Sequence, residues 1–370
     1  MASKTVKRVL VYRLGSLGDH LVALPCYRLV RRAFPEARIR LVTNIPVSGK
    51  AAAAESVLDG SGLVDGYLTY VVGERGAMAL MGLWWRIFRW RPEVLVYLAP
   101  VRGVKAARRD EVFFKLCGVK RVVGLPLTED LQRSRSVGQR VLGSEITTWY
   151  EQEGLRLARC VAELGDARVE EPESWSPALT EAERAEAAGL VGKRYFAMSL
   201  GTKAQANHWG IDNWMGLAET MAAEWPGYGL VLLGSPDEAT ESELVAMAWA
   251  SHFNGCEALN LCGACSPRVS AAIMERAVMF LGHDSGPGHM AAAVGTPVFG
   301  IFSARMKAGE WVPHGKHVRV VLHWVECGGC LLETCIVEKK KCILSIGVDE
   351  AFSAVKEHMQ AMHGVEERSR

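Results

Sequence analysis

Short apolar runs alternate along the chain with stretches of helical period, and the alternation occurs in two blocks. The first block has its runs at 6–12, 38–43, 67–72, 94–98 and 121–124. The second has them at 195–200, 229–233, 258–261, 278–282, 297–301 and 317–322. Each run predicts a strand and each intervening stretch a helix, so each block predicts a doubly wound α/β unit. In the first, Asp19 to Phe34 carries Leu21, Leu24, Leu29 and Val30 at helical spacing and predicts one helix. Ser266-Pro267 opens another, with its cap and first-turn proline in order. Asp166 to Pro177, with Pro172 and Pro177 set among acids, reads as the linker. The expected divisions are 1–170, 171–345 and a helical terminal segment, 346–370, of which Val348 to Met362 is the clearest part.

The densest signal is Gly282 to Pro297, where strand, turn and helix start follow one another directly. Val278 to Leu281 supplies a buried strand, Asp284-Ser285-Gly286 the turn, and His289 to Val294 a short helix of small residues. N–H groups at such a helix start lack intrahelical partners and can hold a phosphate. Asp284 is placed either to accept hydroxyl hydrogen bonds from a polar ligand or merely to cap the helix. A second corner lies at Arg13-Leu14-Gly15-Ser16-Leu17-Gly18-Asp19, directly after the first strand. Gly15 and Gly18 let the backbone approach a ligand closely, but the first glycine of the dinucleotide fingerprint is missing. Asp19 therefore stands where open α/β sheets bind ligands, as a general base or as a helix-capping acid. The loop Gly234 to Glu238 offers a ribose or adenine contact by the same logic, unless its acid only caps a helix.

With 370 residues, 49% of them hydrophobic and 23% charged, the chain can bury two ordinary cores. No signal peptide is evident, since Met1 to Arg8 runs straight into a strand, and no run of about 20 apolar residues could cross a membrane, so the expected location is cytoplasmic. The net charge of +2 conceals a polarity: residues 1–175 hold 27 Lys and Arg against 19 Asp and Glu, and the remainder hold 16 against 22. The first half thus suits an anionic partner. No zinc finger, RNA-binding signature or aromatic and basic interleave points to nucleic acid, and a glycolipid fits better. Arg102, Lys105 and Arg109 would share one face of a helix, either solvated or meeting that partner.

Two further features allow more than one reading each. Met78 to Trp90 is rich in Met, Leu, Trp and Phe, interrupted by Arg86 and Arg89, which suits a core helix or an interfacial helix at the inner membrane leaflet. Cys327, Cys330, Cys335 and Cys342 lie within sixteen residues; they suit a structural metal, free packed thiols or a strained disulfide. None of these versions gives the cysteines a catalytic role.

Taken together, the Arg13-x-Gly15-x-x-Gly18-Asp19 corner with Pro25, and Asp284-Ser285-Gly286-x-x-His289 with Ala291 to Ala293 and Gly295-Thr296-Pro297, resemble glycosyltransferase family 9, the ADP-heptose lipopolysaccharide heptosyltransferases. Ser199-Leu200-Gly201-Thr202-Lys203, followed by Trp209 and Trp214, is similar to the family's donor-phosphate segment. The resemblance runs from about residue 6 to about residue 345. The family commonly has Lys two residues before this Trp and Pro directly after it, where this chain has Asn207 and Gly210. The resemblance implies two Rossmann-like domains facing a central cleft (GT-B type), with the C-terminal helix packing back on the first domain.

It also implies an inverting transferase that moves heptose from ADP-heptose to a lipopolysaccharide-core or related glycan acceptor, with no required cofactor or metal. On this reading Asp19 is the general base, and Gly18, Thr202, Lys203, Asp284, Ser285, Gly286 and His289 hold the donor. Arg102, Lys105 and Arg109 hold the anionic acceptor. The absence of a second nucleophile with a paired base favours single displacement, hence inversion. The alternatives are a nucleotide-sugar 2-epimerase, or a nucleotide-sugar-binding protein without activity.

Overall fold

The computed structural model describes residues 5–45, 53–71, 76–192, 194–251, 257–336 and 338–368, with the side chains of the last segment described to 362. Val72, at the end of one expected strand, and the last two residues of the expected terminal segment lie outside them. The chain divides into two compact units: 1–135 with 151–178, and 136–150 with 179–370.

In the first unit β1 (Arg8–Tyr12), β2 (Arg38–Ile45), β3 (Tyr67–Val71), β4 (Val94–Tyr97) and β5 (Arg121–Val123) form a parallel sheet in the order β3-β2-β1-β4-β5. Val9, Leu10 and Val11 are fully buried, as a central parallel strand with helices on both faces requires. The expected helix 19–34 is two helices, Leu17–Leu21 and Leu24–Ala33. Pro25 has no N–H to give to an upstream carbonyl, so it sits in the first turn of the second helix.

Next come β6 (Ser136–Leu142) and β7 (Glu145–Tyr150), an antiparallel hairpin that the periodicity did not predict. Six of the seven β6 residues are exposed, so no apolar face announces the strand. The hairpin belongs to the second unit: Tyr150 N–H donates to Ala308 C=O, and Trp149 lies against Gly309. The expected boundary at 170 is corrected accordingly, because the chain visits the second unit before finishing the first.

The second sheet contains β8 (Tyr195–Ser199), β9 (Gly229–Leu232), β10 (Ala258–Asn260), β11 (Phe280–His283), β12 (Val298–Phe302) and β13 (Val318–Leu322). All six are parallel, in the order β10-β9-β8-β11-β12-β13. Their core includes Trp209, Trp214 and Trp249, none of which is exposed. The terminal helix Val348–Arg368 buries Ala351, Val355 and Met359 in this same core and packs on the helix Ile211–Glu224. It is therefore part of the second unit. The apolar stripe at helical spacing is satisfied locally.

Both sheets reverse their winding beside the first strand of the unit, between β1 and β4 and between β8 and β11. Ligands of open α/β sheets bind beyond the carboxyl ends of the strands at such switch points.

Candidate functional site

At the first switch point Arg13 is fully buried and connects three segments. Its Nη1 donates to the Leu98 carbonyl at 2.7 Å, beyond β4, and its Nε to the Asp19 carbonyl at 3.0 Å. Nη2 pairs with Asp19 Oδ1 at 3.5 Å, and Nη1 with Glu153 Oε1 at 3.8 Å. Asp19 Oδ2 accepts the Ser16 N–H at 2.8 Å, so this oxygen performs the helix-capping role. Among the described residues Oδ1 makes only the longer pair with Arg13, and the carboxylate remains 24% exposed. The two readings of Asp19 are thus divided between its two oxygens. Gly15 makes this possible: at φ +131°, a Cβ there would lie 2.1 Å from the Asp19 carboxyl carbon. Gly18 is buried within the short helix, and its carbonyl accepts the Val22 N–H. Neighbouring His20 is buried; desolvation, with Arg13 adding to it, pushes its imidazole down to about 3, so it is neutral.

The three cations expected on one helical face are not equivalent. The helix starts at Val104, after Gly103 at φ +86°, so Arg102 precedes it. Arg102 donates to buried Asp110 at 2.5 Å, where Tyr97 also donates, and reaches the Tyr12 hydroxyl at 3.3 Å. Its charge is largely compensated inside the unit. Lys105 and Arg109 are exposed on the helix, and Arg109 makes a looser contact with the other oxygen of Asp110.

In the second unit Ser199 of β8 lies opposite Gly282 of β11, so the two candidate donor loops leave the sheet side by side. His283, to which the sequence motif assigned no role, holds them together. Its Nδ1–H donates to the Leu200 carbonyl at 2.9 Å; its Nε2 accepts from the Trp209 N–H at 3.0 Å and the Trp214 indole N–H at 3.1 Å. Burial pushes this imidazole down to about 3, as its acceptor role demands. A histidine at a strand end with two tryptophans at fixed spacing was the available signal. Asn207 is equally structural: its amide donates to the Asp284 carbonyl at 3.2 Å and its Oδ1 accepts the Ser303 hydroxyl.

Asp284 follows, and burial pushes its carboxyl up to about 7 against the opposing pull of Arg305. Ser285 is the N-cap of the helix Gly286–Ala293 in an extended conformation; its hydroxyl is buried and makes no hydrogen bond among the described residues. Buried polar groups are rarely left so. His289 is buried with its ring edge toward Trp311, and desolvation pushes it down to about 4, so it brings no positive charge to a donor. The Thr202 hydroxyl bends back to the Ala204 carbonyl, and Lys203 is exposed. Sequence reading missed Lys340, whose ammonium donates to the His208 carbonyl in the same loop region, and Arg305, the cation opposing Asp284. Glu238 is the acid of the Gly234 to Glu238 loop that reaches the sheet: its carboxylate lies where a Cβ on Gly201 or Gly234 would be.

A pH experiment follows from Asp284. Its folded-state value of about 7 lies above the ordinary 3.8, so the native protein holds a proton that the unfolded chain releases between these values. Stability should fall as pH rises through that window and level off above 7, by roughly 4 kcal/mol at most. Asp284→Asn removes this loss. Its melting temperature relative to the parent should therefore climb between pH 5 and pH 8; a gain identical at both would show that Asp284 does not titrate there.

Cys327, Cys330, Cys335 and Cys342 are free and border one small cavity with Lys340 and Lys341. Among the described residues no group of three or more His, Cys, Asp or Glu side chains could hold a metal ion. Also among the described residues, no helix is long and apolar enough to cross a membrane.

Two Rossmann-like units of this strand order define a protein of the GT-B fold class. The chain belongs to glycosyltransferase family 9 (heptosyltransferase), whose family model matches residues 154–341. Over 90 residues it is 38% identical to lipopolysaccharide heptosyltransferase 3 of Escherichia coli, a stretch that makes up 22% of this chain and 24% of that relative. The match thus spans about a quarter of the relative's length. Among solved structures, the family 9 glycosyl transferase of Veillonella parvula is similar with a TM-score of 0.69 at 14% identity, covering 97% of this chain and 99% of its own. ADP-heptose lipopolysaccharide heptosyltransferase II of Escherichia coli gives 0.62 at 16%, covering 96% and 99%. These two structural likenesses bear on the fold.

Proposed function

We propose that the protein is an inverting glycosyltransferase that moves heptose from ADP-heptose to an anionic glycolipid acceptor of the lipopolysaccharide-core type. The observation that carries this reading is the loop beyond β11, where the buried Ser285 hydroxyl, without a partner among the described residues, and the start of the helix Gly286–Ala293 adjoin Asp284 at the switch point. Such a helix start supplies N–H donors and a favourable dipole to a diphosphate. Lys203 and Lys340 add positive charge beside it, and together these groups stabilise the leaving diphosphate. Asp284 orients sugar hydroxyls. Asp19 accepts the proton of the acceptor hydroxyl while that oxygen bonds to the anomeric carbon; the bond to the diphosphate oxygen breaks, and ADP leaves with the electron pair. Lys105 and Arg109 are the exposed cations available to acceptor phosphates.

A thermal-shift screen across ADP-, GDP-, UDP- and dTDP-sugars, followed by transfer assays with the sugar that stabilises, tests this reading. Stabilisation by ADP-sugars above the others is expected, and equal response to all four would overturn the donor assignment. Lys203→Ala should weaken ADP binding by roughly 1.5–3 kcal/mol, the range of a charge-assisted hydrogen bond. Unchanged affinity by calorimetry would move that role to another group, with Lys340 first in line.

A further inference from the structure

The helix Ala77–Trp90 is apolar on two opposite sides. It buries only Leu83 and Ile87, one turn apart, against the sheet of the first unit. Met78, Met81, Trp85 and Phe88, at the spacings i, i+3, i+7 and i+10, form a second stripe that faces water, with Met78 84% and Trp85 54% exposed. A helix that only fills a core has no use for that stripe. The patch continues onto the next helix: the Trp84 indole donates to the carbonyl of Leu116, whose side chain is 67% exposed, and Phe88 lies beside Gly118.

The surrounding charge selects the occupant. From Gly76 to Arg91 there is no Asp or Glu, while Arg86, Arg89 and Arg91 are all exposed, Arg86 also donating to the Thr69 carbonyl at 2.8 Å. A second copy docking by two-fold symmetry would set these arginines against their own mates with no acid between them. A bilayer with anionic headgroups meets both features: methionine and aromatic side chains enter the headgroup and acyl boundary while arginines pair with phosphates. Fourteen residues of helix span about 21 Å, too short to cross and long enough to lie in the interface.

We infer that the helix Ala77–Trp90 docks the first unit flat on an anionic membrane surface. The inference stands on this face alone and needs no transferase activity, though it would place the protein where a lipid-anchored acceptor is met. Co-sedimentation of the full chain with phosphatidylcholine vesicles, with and without 30% phosphatidylglycerol, tests it. The parent should partition onto the anionic vesicles and much less onto neutral ones. Met81→Ser with Trp85→Ser should lower that partition at least tenfold without lowering the melting temperature, because both side chains are exposed. Arg86→Gln with Arg89→Gln should weaken binding to anionic vesicles and flatten its salt dependence. No binding by the parent, or equal binding by parent and serine variant, would overturn the inference. So would sedimentation velocity showing a parent dimer that the serine variant abolishes, since the face would then belong to a second copy.

Discussion

Replacing Asp19 by Asn is expected to lower the transfer rate by about 10²–10⁴ while ADP binding persists, the usual consequence of removing a general base. The amide can still accept from the Ser16 N–H and so keep the cap, which isolates the loss of the basic oxygen. Gly15→Ala is the informative companion. A methyl group there would fall 2.1 Å from the Asp19 carboxyl carbon in a backbone region that side chains avoid, so it must displace the carboxylate without deleting it. Its rate should fall toward that of the Asn variant. Rates of both proteins at saturating donor and acceptor decide the matter, and an Asn variant within threefold of the parent removes Asp19 from the mechanism.

The largest expected effect on stability is at His283. Truncation to Ala would leave the Trp209 N–H, the Trp214 indole and the Leu200 carbonyl without their partner in a fully buried setting, and would open a cavity among three rings. Each orphaned group costs about 1–3 kcal/mol, so a loss of at least roughly 3 kcal/mol is expected. Because this imidazole joins the loop after β8 to the end of β11, donor binding should weaken with it. Chemical denaturation measures the first effect and calorimetry with ADP the second. A stability change below about 1 kcal/mol would mean that water or a repacked side chain satisfies those groups.

The parallel strands and both switch-point loops were legible because buried strands are written as local apolar runs and tight corners as glycines. Asp19, Asp284 and Ser285 were singled out for that reason, and the structure places them at those two corners. What escaped depended on partners distant in sequence. Nothing near Arg102 reveals that Asp110, which also accepts from Tyr97, neutralises it, and nothing in Asn207 alone shows that it joins the Asp284 carbonyl to Ser303. His289 looked available because it follows a candidate ligand-binding turn, yet its helix turns it inward toward Trp311. The hairpin β6-β7 lacks a buried face of its own, so period-2 alternation never rises above the polar background.

That hairpin also bears on how the chain is made. A lone two-stranded ribbon is marginal in water, and the groups that receive this one, the Ala308 carbonyl and Gly309, emerge from the ribosome almost 160 residues later. At ordinary elongation rates this is a wait of roughly 8–30 s. Meanwhile the helix Glu153–Cys160 and the segment to Ala178 can already close the first unit, leaving the ribbon as a tethered loop between finished parts. A cut at residue 178 would therefore release an N-terminal fragment with an orphaned ribbon and a C-terminal fragment missing a piece of its surface. Expressing the halves separately and then mixing them should reconstitute poorly unless residues 136–150 travel with the second half.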